Sequence, residues 1–359
     1  MRGRRFFPLD EKLGLRADSW SGGAARVMTR CGLREPSFEQ AAEGYQEATG
    51  GQVSGASIRR VTQGFGQQVR ARQACEAERA AEIGAYEEVP RERWLEQQTP
   101  LGEVGNLSSD GTMILVRGEG WKEVKVAAFS AVERLPPRHP DRRKAQREGR
   151  RQHAEVVRLK AHSYCAGLWD ADTFGRYQYA EGLRRGFDRV PHASSVNDGA
   201  LWIDRITTTN FPYAQFIVDW GHSMAHLWAV GHAVYGEESA QATDWVQQRE
   251  TELWAGGVEE VVSALETLGL DTESYPDDVR QAPQYFASRT AAMRYADFRA
   301  RGYPIGSGTV ESAAGNVVQP RMRRPGRGWQ RDNADAMLAA LGEFHSGRLR
   351  WAWQQAATA

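Results

Sequence analysis

The chain has 359 residues, 26% of them charged, and a formal net charge of zero, which suits a soluble protein of about two to three domains. No window approaches the roughly 18 to 20 consecutive apolar residues needed to cross a bilayer, and the opening MRGRRFFPLDEKLGLR lacks the apolar middle of a signal peptide. A membrane or secreted class is thereby set aside and a cytoplasmic location expected; Cys31, Cys75 and Cys165 are spaced too widely for a disulfide framework or a C-x-x-C knuckle.

Residues 36 to 90 read as helical, with one helix, a break at Gly50-Gly51, and a second helix capped near Ser54 or Ser57 whose Ile58, Val61 and Phe65 share one face. The figure is that of a helix-turn-helix or of a plain helical hairpin. From 106 to 132 the period shortens to two. Met113 and Leu115, then Val124 and Val126, alternate with polar or small neighbours around a turn at Gly118 to Gly120, which predicts a hairpin. The basic stretch 134 to 155, with Pro136 and Pro137, reads as a linker or exposed loop.

A third strand is expected in AEVVRLKAHSYCAGLW, then a helix over about 172 to 185, a strand ending at Asn197, Asp198 and Gly199, and a helix. YAQFIVDWGHSMAHLWAVGHAVYG repeats the figure, with Asp219 between strand and helix. Residues 239 to 300 are helical in pattern, and closing helices are expected over about 308 to 320 and 332 to 353. The division that follows is a helical N-terminal region (1–99), the first part of a mixed core (100–235), a helical insertion (236–301) and a C-terminal helix with a basic tail (302–359). Strand-then-helix units of this kind imply an α/β fold, a mixed sheet flanked by helices.

Charge is segregated although it sums to zero. Between Arg134 and Lys160 ten Arg or Lys face three acids; between Gly236 and Val279 twelve acids face Arg249 alone; between Ser312 and Arg331 there are five arginines and no acid. Basic runs of this kind attract phosphate backbones.

Three acids hold special places: Asp110 inside the first strand beside Gly111, Asp198 at the end of a later strand beside Gly199, and Glu311 on a helix approached through Gly306 and Gly308. An acid within an apolar strand is costly unless it is paired or binds metal. A hard divalent cation takes one or two carboxylates plus substrate phosphate oxygens, and two such ions about 3.5 to 4 Å apart activate a hydroxyl and stabilise the leaving oxygen of a phosphodiester. On this reading Asp110, Asp198 and Glu311 bind two Mg2+ (or Mn2+) ions, and Arg321, Arg323, Arg324 and Arg327 grip phosphates beside them. Trp329, within the arginine run, is a candidate for contact with a flipped or frayed base. Asp219, His222 and His226 fall on one helical face and form an alternative or supporting group, with transition-metal binding one option and orientation of the site another.

The segments SDG (109–111), NDGALWI (197–203), DWGHSMAHLW (219–228) and PIGSGTVESAAGNVVQPRMRRPGRGW (304–329), in this order and spacing, resemble a bacterial insertion-sequence transposase of the Kra-type group related to Mutator-like elements. The resemblance covers about residue 100 to the C-terminus and is weaker upstream. It implies a ribonuclease H-like core with an Asp-Asp-Glu triad mapping onto Asp110, Asp198 and Glu311, an all-helical insertion before the last acid, and metal-dependent cleavage and strand transfer at terminal inverted repeats. DNA, both element ends and target, is the implied partner, with a homodimer on DNA, no membrane, and association with the nucleoid when bound. Mutator-like enzymes carry a C-x-x-H element where this chain has Asp219 and His222, so the second acid is Asp198 or Asp219. Family members also carry more chain before this point, which implies a shortened or decayed copy. The competing expectations are a metal-dependent nuclease that only hydrolyses and a domesticated DNA-binding protein without activity.

Overall fold

The computed structural model describes residues 20–82, 101–135, 156–306, 308, 313–324 and 326–358. The segment 136–155, most of the basic linker read from the sequence, lies outside them, as does Glu311. Three helices lead: α1 (Gly22–Arg34), α2 (Phe38–Thr49) and α3 (Gly55–Glu82). Ser21 and Ser37 cap the first two by accepting from Ala24 N–H and Gln40 N–H, and Ser54 accepts from Ser57 N–H ahead of the third, satisfying donors that a helix start leaves open.

The centre is an α/β core built on a five-stranded mixed sheet: β1 (Val104–Val116), β2 (Gly120–Leu135), β3 (Val156–Gly167), β4 (His192–Asn197) and β5 (Gln215–Val218), in spatial order β3-β2-β1-β4-β5. β1, β2 and β3 pair antiparallel; β4 lies parallel to β1, and β5 parallel to β4. The parallel joins need helical crossovers, supplied by α4 (Ala171–Arg184) and α5 (Leu201–Asn210).

Helices cover both faces, so side-chain parity divides the core. On β2, Val124, Val126 and Ala128 pack with Ile114 and Val116 of β1 against the leading helices and α13 (Arg331–His345). Ala127, Phe129 and Ala131 point the other way, with Leu107, onto Phe174, Phe187 and Phe211. The expected hairpin is present with its turn at Gly118 and Gly120, but Met113 is 40% exposed, and Ile114 and Val116 hold the core face. The run Met113-Ile114-Leu115-Val116 is apolar in both phases, so alternation fixes the period there without fixing the face.

After β5 come α6 (Trp220–Tyr235), α7 (Ala240–Ala255), α8 (Val258–Glu266), the short α9 (Asp277–Arg280) and α10 (Ala282–Ala287), and α11 (Tyr295–Ala300). They share a second core with Val196, Ile217 and Val218, in which Trp220 meets Trp254 and Tyr295 edge-on at 5.2 and 5.0 Å. The acidic residues of this block sit on its outer surface or make local pairs such as Arg249 with Glu252. A π-helical turn (Ala314–Val318) runs into α12 (Gln319–Met322), then α13 and α14 (Leu349–Thr358).

The closing helix expected over 332 to 353 is two helices, because Gly347 turns left-handed (φ 72°) between them. The leading helices are fastened to this end of the chain. Ile58, Val61 and Phe65 are buried as the spacing predicted, Phe65 stacks on Trp353 at 5.0 Å, and a β-carbon on Gly66 would overlap the Ala336 carbonyl. Between them lies a buried ionic network. Glu343 accepts from Arg72 at 2.6 Å and Arg348 at 2.7 Å, Glu181 accepts from Arg348 at 2.6 Å and Arg184 at 2.9 Å, and Arg184 also pairs with Glu76. Among the described residues no helix is long and apolar enough to cross a membrane.

Candidate active site

The sheet brings three acids to one level. β1 and β4 are paired as far as Leu107 with Ser195, and β4 and β5 as far as Asn197 with Val218. Continuing that register sets Asp110 level with Asp198, and Asp198 level with Asp219, at the carboxyl ends of β4 and β5. Asp110 has the parity of Thr112, Ile114 and Val116, which is the face toward α12 and α13.

The neighbours of each acid are fixed by hydrogen bonds. Ser109 is held from two sides: its N–H donates to Asn197 Oδ1 at 2.6 Å, and its hydroxyl accepts from Gln178 Nε2 at 3.0 Å. Asn197 is wholly buried and its carbonyl accepts from Asp219 N–H at 2.7 Å, so one residue ties β1, β4 and the end of β5 together. Asp110 Oδ1 accepts from Gly111 N–H at 2.7 Å, and Asp198 Oδ1 accepts from Ala200 N–H at 2.9 Å. Asp219 is 5% exposed and caps α6 by accepting from His222 N–H at 2.7 Å.

The turn after β4 is clamped by two residues that the sequence did not single out. Tyr285 of α10 donates its hydroxyl to the Asp198 carbonyl at 3.1 Å, and Arg289 donates to the Gly199 carbonyl at 3.1 Å while lying over the Tyr285 ring at 4.3 Å. Gly199 has φ 87°, a conformation that favours glycine, and a β-carbon there would crowd both side chains at 3.1 and 3.2 Å. Burial pushes the Tyr285 hydroxyl up to about 12, with Asp198 and Asp219 adding to the rise against Arg289. His226 stacks on Tyr285 at 4.2 Å and meets His222 edge-on at 4.9 Å. Burial first, and then His222, hold the His226 imidazole below its ordinary value. Nothing in the local sequence marks Tyr285 or Arg289, because they reach the site only through the fold of the insertion.

Among the described residues no group of three His, Cys, Asp or Glu side chains is arranged to hold a metal ion. Asp219, His222 and His226 therefore make no such site on α6: the carboxylate caps its own helix and the His226 ring packs on Tyr285. Asp110 and Asp198 offer oxygen donors only, a set that fits a hard cation completed by water and substrate phosphate. Glu311 belongs to a stretch whose described flanks are placed at both ends: the Gly306 backbone lies beside the Asp219 carboxylate, Trp220 N–H donates to the Ile305 carbonyl at 2.8 Å, and Gln319 Nε2 reaches Thr112 Oγ1 at 3.4 Å.

The arginine run divides into two kinds of residue. Arg323 and Arg324 are exposed. Arg321 is 3% exposed and donates to the carbonyls of Gly32 and Pro36 at 2.9 and 3.2 Å; Arg327 also donates to Pro36, at 2.7 Å. These two arginines tie the C-terminal segment to the leading helices. Trp329 is 6% exposed, donates its indole N–H to the Met322 carbonyl at 3.0 Å, and bridges to Val116 of β1. Its side chain packs with the core, and the residue also lines a cleft together with Phe38 and Arg321. No family model matches the chain, and no curated protein matches it.

Proposed function

We propose that this protein is a metal-dependent DNA transposase with a ribonuclease H-like core, cutting at the ends of a mobile element and joining the freed 3′ hydroxyl to a second phosphodiester. The observation that carries the reading is the parallel pairing of β1 with β4 as far as Leu107 and Ser195, whose continuation through the Ser109–Asn197 hydrogen bond brings Asp110 level with Asp198. The strand order β3-β2-β1-β4-β5 with β2 antiparallel supports the same core. So do two described residues on either side of Glu311, Gly306 beside Asp219 and Gln319 reaching Thr112.

In this reading Asp110, Asp198 and Glu311 would hold the cations. Two Mg2+ or Mn2+ ions, when bound, would activate the attacking oxygen and stabilise the leaving one. Asn197 keeps the two strands at a fixed separation, Tyr285 and Arg289 hold the Asp198 turn, and Asp219 orients α6. The exposed Arg323 and Arg324 contact backbone phosphates. Joining two element ends calls for two copies of the chain, so a homodimer on DNA is part of the proposal.

The test is incubation of the protein with an oligonucleotide bearing the element's terminal inverted repeat and Mg2+ or Mn2+. Joined products are expected. Cleavage without joining would reduce the assignment to a nuclease, and binding with neither product would leave a DNA-binding protein and overturn the enzymatic reading.

A further inference from the structure

A cleft of about 570 Å3 lies between the leading helices and the C-terminal segment, and four arginines of the described residues line it: Arg59, Arg117, Arg321 and Arg327. They come from four separate places, α3, the β1–β2 turn, the end of α12 and the loop before α13, so no single surface run accounts for them. Among the described residues Glu39 is the one acid on its wall. Residues at the starts of two helices are also on its wall, Phe38 and Glu39 of α2 and Gln330 and Asn333 at the start of α13.

Three of the four arginines are held in place, and Arg59 stands exposed on α3. Arg117 donates to the Gly328 carbonyl at 2.7 Å and Arg327 to Pro36, while Arg321 lies over the Phe38 ring at 4.1 Å. Arg321 uses Nε and Nη1 on carbonyls, but its Nη2 is buried with no hydrogen-bond partner. An unsatisfied buried guanidinium donor costs on the order of 1 to 3 kcal/mol, and Arg321 is itself a residue of the cleft wall. The remaining polar wall is made of amides, Gln63, Gln330 and Asn333, which can both donate and accept.

We propose that this cleft binds one nucleotide unit, its phosphate on the arginines and its base edge on the three amides. The cavity is too large for a lone phosphate, and guanidiniums gathered from several elements suit bidentate phosphate contact. The unit is either free or part of a strand; choosing a DNA strand as the occupant rests on the proposed function, whereas the phosphate chemistry does not.

The experiment measures binding of inorganic phosphate, a deoxynucleoside monophosphate and a short single-stranded oligonucleotide, with chelator present so that the metal-dependent chemistry plays no part. The wild type is compared with Arg59→Ala and with Arg60→Ala, an exposed neighbour on α3 that does not line the cleft. Circular dichroism confirms that both variants are folded. The oligonucleotide is expected to bind, Arg59→Ala to weaken it about tenfold and to lower the salt slope by about 0.7, and Arg60→Ala to change it little. A mononucleotide that binds as well as the strand, with the same response to Arg59→Ala, supports the site with a free nucleotide as occupant. Absence of binding by all three ligands, or equal loss from both substitutions, overturns the proposal whether or not the acids cut DNA.

Discussion

Replacing Glu343 with glutamine keeps the shape of a buried side chain and removes its charge. The carboxylate is 0% exposed and accepts from Arg348, Arg72 and Gln73, with Arg184 at 3.9 Å. Without it, three guanidiniums share the space with Glu181 and Glu76 alone. Burial by itself would raise the Glu343 carboxyl, but Arg348, Arg72 and Arg184 outweigh it and hold it at about 2, against an ordinary 4.5. At about 1.36 kcal/mol per unit that difference corresponds to roughly 3 kcal/mol, the low end of the range of about 3 to 5 kcal/mol for breaking a buried pair from one side. Because the carboxyl is depressed in the folded state, its contribution is whole above about pH 4.5 and is lost as pH falls toward 2. Urea denaturation of wild type and Glu343→Gln at neutral pH, repeated at acid pH, reads both effects. The variant is expected to be less stable by about 3 kcal/mol and to lack the corresponding part of the acid-induced loss. A variant within about 1 kcal/mol of wild type, with an unchanged acid limb, would show that the network adds no net stability and would refute the reasoning.

The second acid can be settled by comparing Asp198→Ala with Asp219→Ala in the oligonucleotide assay. Asp198→Ala is expected to abolish metal-dependent cleavage and Asp219→Ala only to weaken it, and the reverse order would move the ligand to Asp219. Independently of metal, Asp219→Ala removes the cap of α6 and should cost about 0.5 to 2 kcal/mol in thermal unfolding; no change would mean that the His222 N–H finds another acceptor. Gly66→Ala pushes a methyl group into the Ala336 carbonyl and should destabilise by about 1 to 3 kcal/mol, even though alanine favours helix. A stabilised Gly66→Ala protein would show that α3 and α13 are not in close contact.

How far the sequence reaches can be judged at particular residues. The strand hairpin, the third strand and both strand-turn-helix units are visible because glycine turns and a two-residue period mark them locally. The phase of β1 is not visible, since Met113 and Ile114 are equally apolar and only the packing of α13 selects Ile114 for the core. Asp110 stands out as an acid inside a strand and Asp198 as an acid just after one, and the β1–β4 pairing that brings those strands together joins residues far apart in the chain. Tyr285 and Arg289 stay hidden because a helical insertion carries them back to the Asp198 turn from far along the chain. Arg321 looks like a surface cation in an acid-free run, yet its guanidinium is enclosed by carbonyls of Gly32 and Pro36 that no local pattern connects to it.

The contact between α3 and α13 also bears on how the chain is made. During synthesis the Ile58, Val61 and Phe65 stripe leaves the ribosome long before Met337 and Trp353 exist to shelter it, so the nascent chain must carry a sticky helix through most of translation. A message that stops short of α13 would yield a protein with an intact set of strands and an open oily flank, a form more prone to clump or be degraded than to act as a smaller working version.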